Sequence, residues 1–322
     1  MPAPRVSAHR QLQKIGMPGV PALFLDAGEK ASWRLIEFLT AHTRNRNTRE
    51  AYARAILRFS RWCEKKQLSL IDIKPFFVAA YVEHLGFHYS RPTVKQHLAA
   101  LRMLFDFLVI GQILPMNPAS SVRGPKHVVR RGKTPSMSAE EARELLDGID
   151  VTNIRGLRDR AIIGVMLFSF ARVGAVVAMD VEDYFRQKNR RWFRLHEKGG
   201  KRHDLPAHPL AETYVSTYLA AAGRSEGTPL FRTINRKGQL TDRRLHRREV
   251  LEIVKRRARE VGLPSSISCH SFRATGMTVY LLNGGTLEKA QAIAAHESPR
   301  TTKLYDRRGD EVSIEEIEKI LI

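Results

Sequence analysis

One stretch decides how this chain is interpreted: Ala295-His296-Glu297-Ser298-Pro299-Arg300-Thr301-Thr302-Lys303-Leu304-Tyr305. It places a histidine nine positions before a tyrosine, with Ser-Pro and Thr-Thr between them. Taken alone, a tyrosine is more often a packed aromatic side chain than a nucleophile. The stretch therefore predicts chemistry only if matching side chains occur elsewhere in the sequence.

A second basic pair lies upstream, in His270-Ser271-Phe272-Arg273. At the start of a helix, positions three apart lie on one face, so the imidazole and the guanidinium can meet one phosphate group. A histidine and an arginine at this spacing are common by chance in a chain with 54 Lys and Arg residues. The pair therefore indicates a phosphate-binding site only in combination with the other candidate residues.

A lysine and an arginine complete the set of candidates. Alternating apolar residues at Trp192–His196 and a second short run at Arg202–Leu205 predict a β-hairpin with Lys198-Gly199-Gly200-Lys201 as its turn. Such a turn projects a lysine away from the sheet, where it serves either solubility or general acid catalysis. Arg172 is expected at the end of the very apolar helix predicted near Leu157–Phe170, and an arginine there binds either a structural partner or an anion.

Together these residues resemble the catalytic set of the tyrosine recombinase (phage integrase) family of site-specific DNA recombinases. The order along the chain is the same, and the stretch from His296 to Tyr305 is its most specific part. The resemblance covers nearly the whole chain. It implies a catalytic set without metal or other cofactor, made of Arg172, Lys198, His270, Arg273, His296 and Tyr305.

The resemblance also implies a role for each of these side chains. Tyr305 would attack the phosphodiester and form a 3′-phosphotyrosyl link, with His270 as acceptor of its proton. The two arginines would bind the non-bridging oxygens, where negative charge concentrates in the transition state, and His296 would donate a hydrogen bond to one of them. Lys198 would protonate the departing 5′ oxygen.

The sequence departs from the family pattern around the first arginine. The family usually has Thr-Gly-Leu-Arg followed three residues later by an acidic residue, whereas this chain has Ser169-Phe170-Ala171-Arg172 and then Ala175. We expect Asp180 or Glu182 as candidates to replace the missing carboxylate. Ala295 stands where glycine is usual. Lys198 and Lys201 both remain candidates for the general acid, and the family's Gly-Lys-Gly pattern favours Lys198.

The predicted fold is mainly α-helical with a small β-sheet. Helical periodicity from about Ala31 to Ile113 indicates a small bundle, which the resemblance identifies as a SAM-like core-binding domain, and an α+β catalytic domain follows. Ser138 and Glu141 fit a capping box that opens the second domain. We assign residues 1–28 to a flexible arm, 29–118 to the bundle, 119–136 to a basic linker and 137–322 to the catalytic domain, which ends in a tail helix at 313–322.

The composition favours a polyanionic partner. The formal net charge is +21, which points to nucleic acid or, as the alternative, to an anionic membrane surface. No long apolar span or signal-peptide core is evident, and the two cysteines, Cys63 and Cys269, have no metal-ligand spacing. We therefore expect a cytoplasmic protein with no metal site and no disulfide framework. The family resemblance implies a bacterial, phage or mobile-element origin.

Two alternatives to a recombinase remain open from the sequence. A type IB topoisomerase would use the same chemistry as a monomer that relaxes supercoils, and a non-catalytic DNA-binding regulator would be a recombinase that has lost activity. The resemblance implies instead a homotetramer on paired double-stranded DNA sites. In that assembly, the apolar face formed by Ile314, Ile317 and Leu321 would dock on a neighbouring protomer.

Overall fold

The computed structural model describes residues 13, 17–127, 132–197, 200–223, 225–306 and 317–320. Four of the predicted features lie wholly or partly outside these residues. They are the arm at 1–12 and 14–16, the linker at 128–131, the turn position Lys198 and, apart from residues 317–320, the tail helix at 313–322. The chain forms two compact units, Met1–Val128 and Val129–Ile322. No described helix is long and apolar enough to cross a membrane.

The first unit is helical throughout its described secondary structure. A short helix α1 (Ala22–Leu25) precedes α2 (Glu29–Glu37), which continues through a π-helical turn at Phe38–His42. The long helix α3 (Arg46–Lys65), a 3₁₀ turn at Leu70–Asp72, α4 (Pro75–His88) and α5 (Arg91–Ile110) complete the bundle. The predicted bundle is thus confirmed.

The predicted apolar faces form the core of this unit. On α3, Ile56, Phe59 and Cys63 are buried, and α5 buries the face that carries Val94, Leu98, Leu101, Phe105 and Leu108. The Asn45 side chain caps α3 by accepting hydrogen bonds from the backbone amides of Asn47 and Thr48.

The assignment of residues 17–28 to a flexible arm was wrong. Met17, Leu23 and Phe24 are buried in the core of the first unit, because α1 packs its apolar side chains against the bundle. The short helix lacks the repeated spacing that identifies longer helices, so its burial was not visible in the sequence. The segment belongs to the first unit.

The second unit is an α+β domain. It begins with α6 (Ala139–Asp147), α7 (Ile154–Phe168) and α8 (Val173–Ala178), followed by a 3₁₀ turn at Val181–Asp183. A three-stranded antiparallel sheet, β1 (Tyr184–Gln187), β2 (Arg190–His196) and β3 (Arg202–Pro206), comes next. Then follow α9 (Pro209–Ala222), a two-stranded sheet of β4 (Arg232–Ile234) and β5 (Leu240–Arg244), and four helices: α10 (Arg247–Glu260), α11 (Cys269–Leu282), α12 (Leu287–Ile293) and α13 (Pro299–Lys303).

Several local predictions for this unit are confirmed. Ser138 and Glu141 form the capping box of α6, with both reciprocal hydrogen bonds present. The hairpin of β2 and β3 forms as expected, with Leu195 paired to His203 and His196 to Arg202. Phe193 and Leu195 share the buried face of β2, as the alternation requires.

Other elements differ from the prediction. The strands β1, β4 and β5 were not predicted. The helix α10 begins only at Arg247, because Leu240–Arg244 pairs as a strand and His246 caps the helix. The apolar helix α7 ends at Phe168 rather than Phe170. Arg172 therefore does not end that helix but is the N-cap residue of α8.

Candidate active site

Tyr305 lies just after α13, and its ring is almost fully buried, with 8% of the residue exposed. Its hydroxyl forms a hydrogen bond of 2.7 Å with Nε2 of His270. The Thr278 hydroxyl donates to the Tyr305 carbonyl at 3.2 Å and so ties the backbone there to α11. The phenol thus has a fixed position beside an imidazole that can accept its proton.

The helix α11 carries both His270 and Arg273 in its first turns. Arg273 is 1% exposed, and its guanidinium donates to two backbone carbonyls, those of Phe170 and Ala294, the latter at 2.6 Å. These two bonds tie the segment before Arg172 and the segment before His296 to α11. The predicted spacing of three residues does bring the histidine and the arginine to one site.

His296 lies beside the phenol. Its ring stacks on that of Tyr305 with centroids 5.9 Å apart and an interplanar angle of 17°. Its Nδ1 shares a hydrogen bond of 2.9 Å with the Thr302 hydroxyl, which holds the ring in one orientation. Ala295, which follows α12, has a left-handed backbone with φ of 47°, a conformation that glycine adopts more readily than any residue with a side chain.

Arg172 has an unexpected partner. Its Nη1 donates to Oε2 of Glu197 at 2.7 Å, and Glu197 is the residue that follows β2. The expectation that Asp180 or Glu182 would replace the missing carboxylate was wrong. Asp180 instead pairs with Arg244, and Glu182 accepts from the backbone amide of Gly227 at 3.2 Å.

Burial and the charges of the two arginines shift the pKa values of Tyr305, the two histidines and Arg273. Desolvation raises the pKa of Tyr305, and the charges of Arg273 and Arg172 work against that rise. Desolvation and then the same two arginines lower the pKa of His270 and bring that of His296 down to about 3. Desolvation, followed by the charge of Arg172, lowers the pKa of Arg273 to about 10. The site therefore holds a neutral phenol beside a neutral imidazole.

Five of the six sequence-predicted residues come together in this way, and the sixth, Lys198, lies outside the described residues. The other candidate general acid, Lys201, is exposed and pairs with Glu297 at 3.0 Å, next to His296. Within the described ranges, no group of three or more His, Cys, Asp or Glu side chains is placed to hold a metal ion.

Sequence reasoning missed Glu197 and Thr302. The Thr302 hydroxyl could have been suspected, because the Thr-Thr pair lies inside the quoted stretch. Glu197 gave only one signal, its position directly before Lys198 in the turn. Phe170, with a left-handed φ of 53°, presents its carbonyl to Arg273, and nothing in the sequence indicated that conformation.

This geometry places a phenol beside an imidazole and two guanidiniums, the groups that phosphoryl transfer with a tyrosine nucleophile would need. The model of the phage integrase family matches residues 135–311, and that of the phage integrase N-terminal SAM-like domain matches residues 34–111. Because the first match spans more than half of the chain, the protein belongs to the phage integrase family, the tyrosine-type site-specific DNA recombinases.

Individual relatives agree with this membership. The tyrosine recombinase XerC of Myxococcus xanthus is 27% identical over 249 residues, which cover 75% of this chain and 80% of the relative. The XerC of Chlamydia pneumoniae is 28% identical over 218 residues, or 67% of each chain. Among solved structures, the post-cleavage complex of the XerH recombinase with palindromic difH has a TM-score of 0.70 at 18% identity, covering 92% of this chain and 86% of XerH. This last likeness concerns the fold.

Proposed function

We propose that this recombinase cleaves one strand of its DNA site with Tyr305 and rejoins it to a second strand without metal or nucleotide. The observation that carries the proposal is the 2.7 Å hydrogen bond between the Tyr305 hydroxyl and Nε2 of His270 beside the two arginines. A phenol is a weak nucleophile until it loses its proton, so a neutral acceptor at this distance is what cleavage requires.

In the first step the Tyr305 oxygen attacks phosphorus while its proton moves to His270. Arg172 and Arg273 neutralise the charge that builds on the non-bridging oxygens. Since Nδ1 of His296 is engaged by Thr302, its Nε2 is the nitrogen that would donate to a non-bridging oxygen. The bond from phosphorus to the 5′ oxygen breaks, and Lys198 supplies the proton to that oxygen.

The second step reverses the first on a different strand. A 5′ hydroxyl gives its proton to the neutral Lys198 amine and attacks the 3′-phosphotyrosyl link. The bond from phosphorus to the Tyr305 oxygen breaks, and His270 returns the proton to the departing phenolate. The energy of the original phosphodiester is stored in the link, so no nucleotide is consumed.

The expected substrate is double-stranded DNA with paired recombination sites. Exposed basic side chains of the first unit suit a phosphate backbone: Arg44, Arg46, Arg54, Arg91 and Lys95. The net charge of +21 adds a sequence-independent attraction. We assign this unit to core binding, residues 119–136 to a strap across the backbone and the second unit to catalysis. A bacterial, phage or mobile-element origin is part of this proposal.

The assembly that we propose is a tetramer linked by the C-terminal tail. In the tail, Ile317 and Ile320 are 50% and 63% exposed, so the described part of the chain leaves them uncovered. A groove on the second unit offers an apolar floor that includes Leu146, Leu167 and Val279, with Arg143 and Arg190 in its lining. Its apolar side chains suit the aliphatic residues of the tail, and its two arginines suit Glu315, Glu316 and Glu318.

The nucleophile is tested by the substitution Tyr305→Phe. It removes one hydroxyl and no charge, so DNA affinity should be kept while covalent adduct formation falls below detection. The measurement is a denaturing gel of protein linked to a nicked DNA site that traps the adduct. Tyr280→Phe, at a tyrosine on the same helix as His270, is the control and should cleave normally. An adduct formed by the Tyr305→Phe variant would rule out Tyr305 as the nucleophile.

The same preparation separates the recombinase from the topoisomerase. With two sites on one plasmid, the unaltered chain should give recombinant products and Holliday junctions. Relaxation of supercoils without exchange between sites would favour a type IB topoisomerase, and binding without any adduct would favour a regulator.

A further inference from the structure

The guanidinium of Arg172 is an exposed group held by a buried one. The Arg172 side chain is 43% exposed, whereas that of its partner Glu197 is 6% exposed. A long exposed side chain populates many rotamers, and a buried carboxylate at hydrogen-bonding distance selects among them. The 2.7 Å bond therefore restricts the arginine more than it restricts the glutamate.

Glu197 is itself fixed by the hairpin. It follows β2, and its backbone amide donates to the Lys201 carbonyl at 2.8 Å, which closes the turn on the side of β3. A buried carboxylate must be paired, and among the described residues Arg172 is the one cation in ion-pair contact with it. The Glu197 carboxylate is therefore held in place by its burial and by the hairpin, and it pairs with Arg172.

The other candidate positions in the described part of the chain do not supply this carboxylate. Ala175, one turn along the helix that Arg172 caps, is 3% exposed and offers only a methyl group. Asp180 pairs with Arg244, and Glu182 accepts from the Gly227 amide. The acidic group that supports Arg172 therefore comes from the hairpin and not from the residues that follow the arginine.

We propose that Glu197 is the positioning residue of Arg172: it sets the orientation in which the guanidinium meets the scissile phosphate. The bond engages Nη1, and a guanidinium has five N–H donors, so the remaining donors can serve a phosphate while the carboxylate stays bound. The assignment rests on the proposed cleavage by Tyr305 and adds to it the residue that orients one of its two arginines.

The opposite role makes a distinct prediction. If Glu197 instead made an autoinhibitory contact with Arg172 that DNA must displace, removing the charge of Glu197 would strengthen DNA binding and speed cleavage. A positioning residue acts in the reverse sense: its loss leaves the guanidinium mobile, slows cleavage and changes DNA affinity little. The sign of the effect on the cleavage rate constant decides between the two roles.

The first measurement uses the full chain and a nicked site that traps the covalent adduct. Glu197→Gln keeps the shape and removes the charge, and it should lower the single-turnover cleavage rate constant at saturating DNA. We expect a loss of about 10- to 100-fold, by analogy with the loss of a side chain that orients a metal ligand. The dissociation constant should change little. Asp204→Asn is the matched control, since it breaks the exposed Arg194–Asp204 pair of the same hairpin and should cleave normally.

A second pair of measurements tests whether the effect passes through Arg172. On a methylphosphonate site a methyl group replaces one non-bridging oxygen and the charge is lost, so the ratio of unaltered to Glu197→Gln rates should fall toward unity. Adding Ala175→Glu to Glu197→Gln, which returns a carboxylate from the helix, should restore part of the cleavage rate.

An unchanged or faster rate for Glu197→Gln overturns the assignment, as does an equal loss on the charged and the methylphosphonate sites. If the unaltered chain forms no adduct at all, the proposed function fails and this assignment fails with it. Adduct formation by the unaltered chain therefore separates the two failures.

Discussion

The proton acceptor for Tyr305 gives the site a specific pH dependence. His270 acts only as the neutral imidazole, and desolvation together with the charges of Arg273 and Arg172 lowers its pKa. The base therefore stays neutral to lower pH than an ordinary histidine, and cleavage is lost as pH falls through the lowered pKa. His296 does not titrate in the same window, because its pKa is about 3.

We therefore expect the acid limb of the cleavage rate, measured by single-turnover adduct formation at subsaturating DNA, to have its midpoint below about 6.5, the ordinary value for histidine. In His270→Gln the midpoint and the plateau above it should vanish, and the residual rate should rise continuously with pH because hydroxide must then remove the phenolic proton. A midpoint at or above the ordinary histidine value would contradict the assignment of His270 as the base.

The identity of the general acid is the second prediction for single residues. If Lys198 protonates the 5′ oxygen, Lys198→Ala should cleave ordinary DNA slowly but cleave a site with a 5′-bridging sulfur far better, because a thiolate leaves without a proton. The comparison variant is Lys201→Ala, whose lysine pairs with Glu297. Rescue by sulfur in the Lys201→Ala variant alone would move the role to that residue.

The reactive side chains could be predicted from the sequence, but the hydrogen bonds and ion pairs that orient them could not. The residues His270, Arg273, His296 and Tyr305 lie in motifs whose spacing is short enough to interpret directly. The pairing of Arg172 with Glu197 depends on the register of a hairpin 25 residues away. The left-handed backbone of Phe170 presents the carbonyl of this residue to Arg273 and has no local signature. The left-handed backbone of Ala295 instead ends α12 through local bonds, from its own amide to Ala292 and from the His296 amide to Gln291, at a position where glycine is usual.

At the scale of elements, long amphipathic helices were predictable and short strands were not. Helices such as α3 and α5 repeat their apolar face over 20 residues each, and α6 carries a capping box. By contrast, β4 and β5 have three and five residues, and their pairing decides where α10 begins. So short a run contains too few alternations to be distinguished from a loop or a helix end.

One buried ion cluster joins two of these helices. Asp159 on α7 is 0% exposed and accepts from Arg158 at 2.8 Å, from Arg256 at 2.6 Å and from Arg257 at 2.9 Å, the last two on α10. Breaking such a pair from one side leaves the remaining charges buried without compensation. The carboxylate therefore holds α7 and α10 together, and with them the scaffold of the second unit.

We expect Asp159→Asn to lower the stability of the second unit by about 3–5 kcal/mol. Native-state hydrogen exchange resolves this loss by element: amides of α7 and α10 should lose protection, while those of α3 and α5 in the first unit should not. Asp242→Asn serves as control, since its pair with Arg232 is 3.7 Å long and the carboxylate is 97% exposed. Unchanged protection in α7 would show that the cluster contributes little.

At the scale of the whole molecule, the C-terminal tail should couple assembly to catalysis. Of the predicted helix at 313–322, residues 317–320 are described, and both isoleucines there are exposed. A segment this short is not stable as an isolated helix, so it needs a groove to order it. Burying three or four aliphatic side chains contributes about 1.5–3 kcal/mol each before ordering costs, which is enough to bias a tetramer.

Deleting residues 313–322 should therefore leave binding to a single site nearly intact while weakening synapsis of paired sites and recombination. Leu210→Glu, which places a negative charge in the proposed groove at a side chain that is 47% exposed, should have the same effect from the other partner. Gel-shift titrations on one and two sites measure both steps, and circular dichroism checks that each variant is folded.

Because a tail docked on a neighbour needs one intact groove and one intact tail at each contact, mixing the two defective variants should recover part of the synapsis. A truncated protein that assembles on paired sites like the full chain, or a mixture with no recovery, would show that the tail does not dock in this groove.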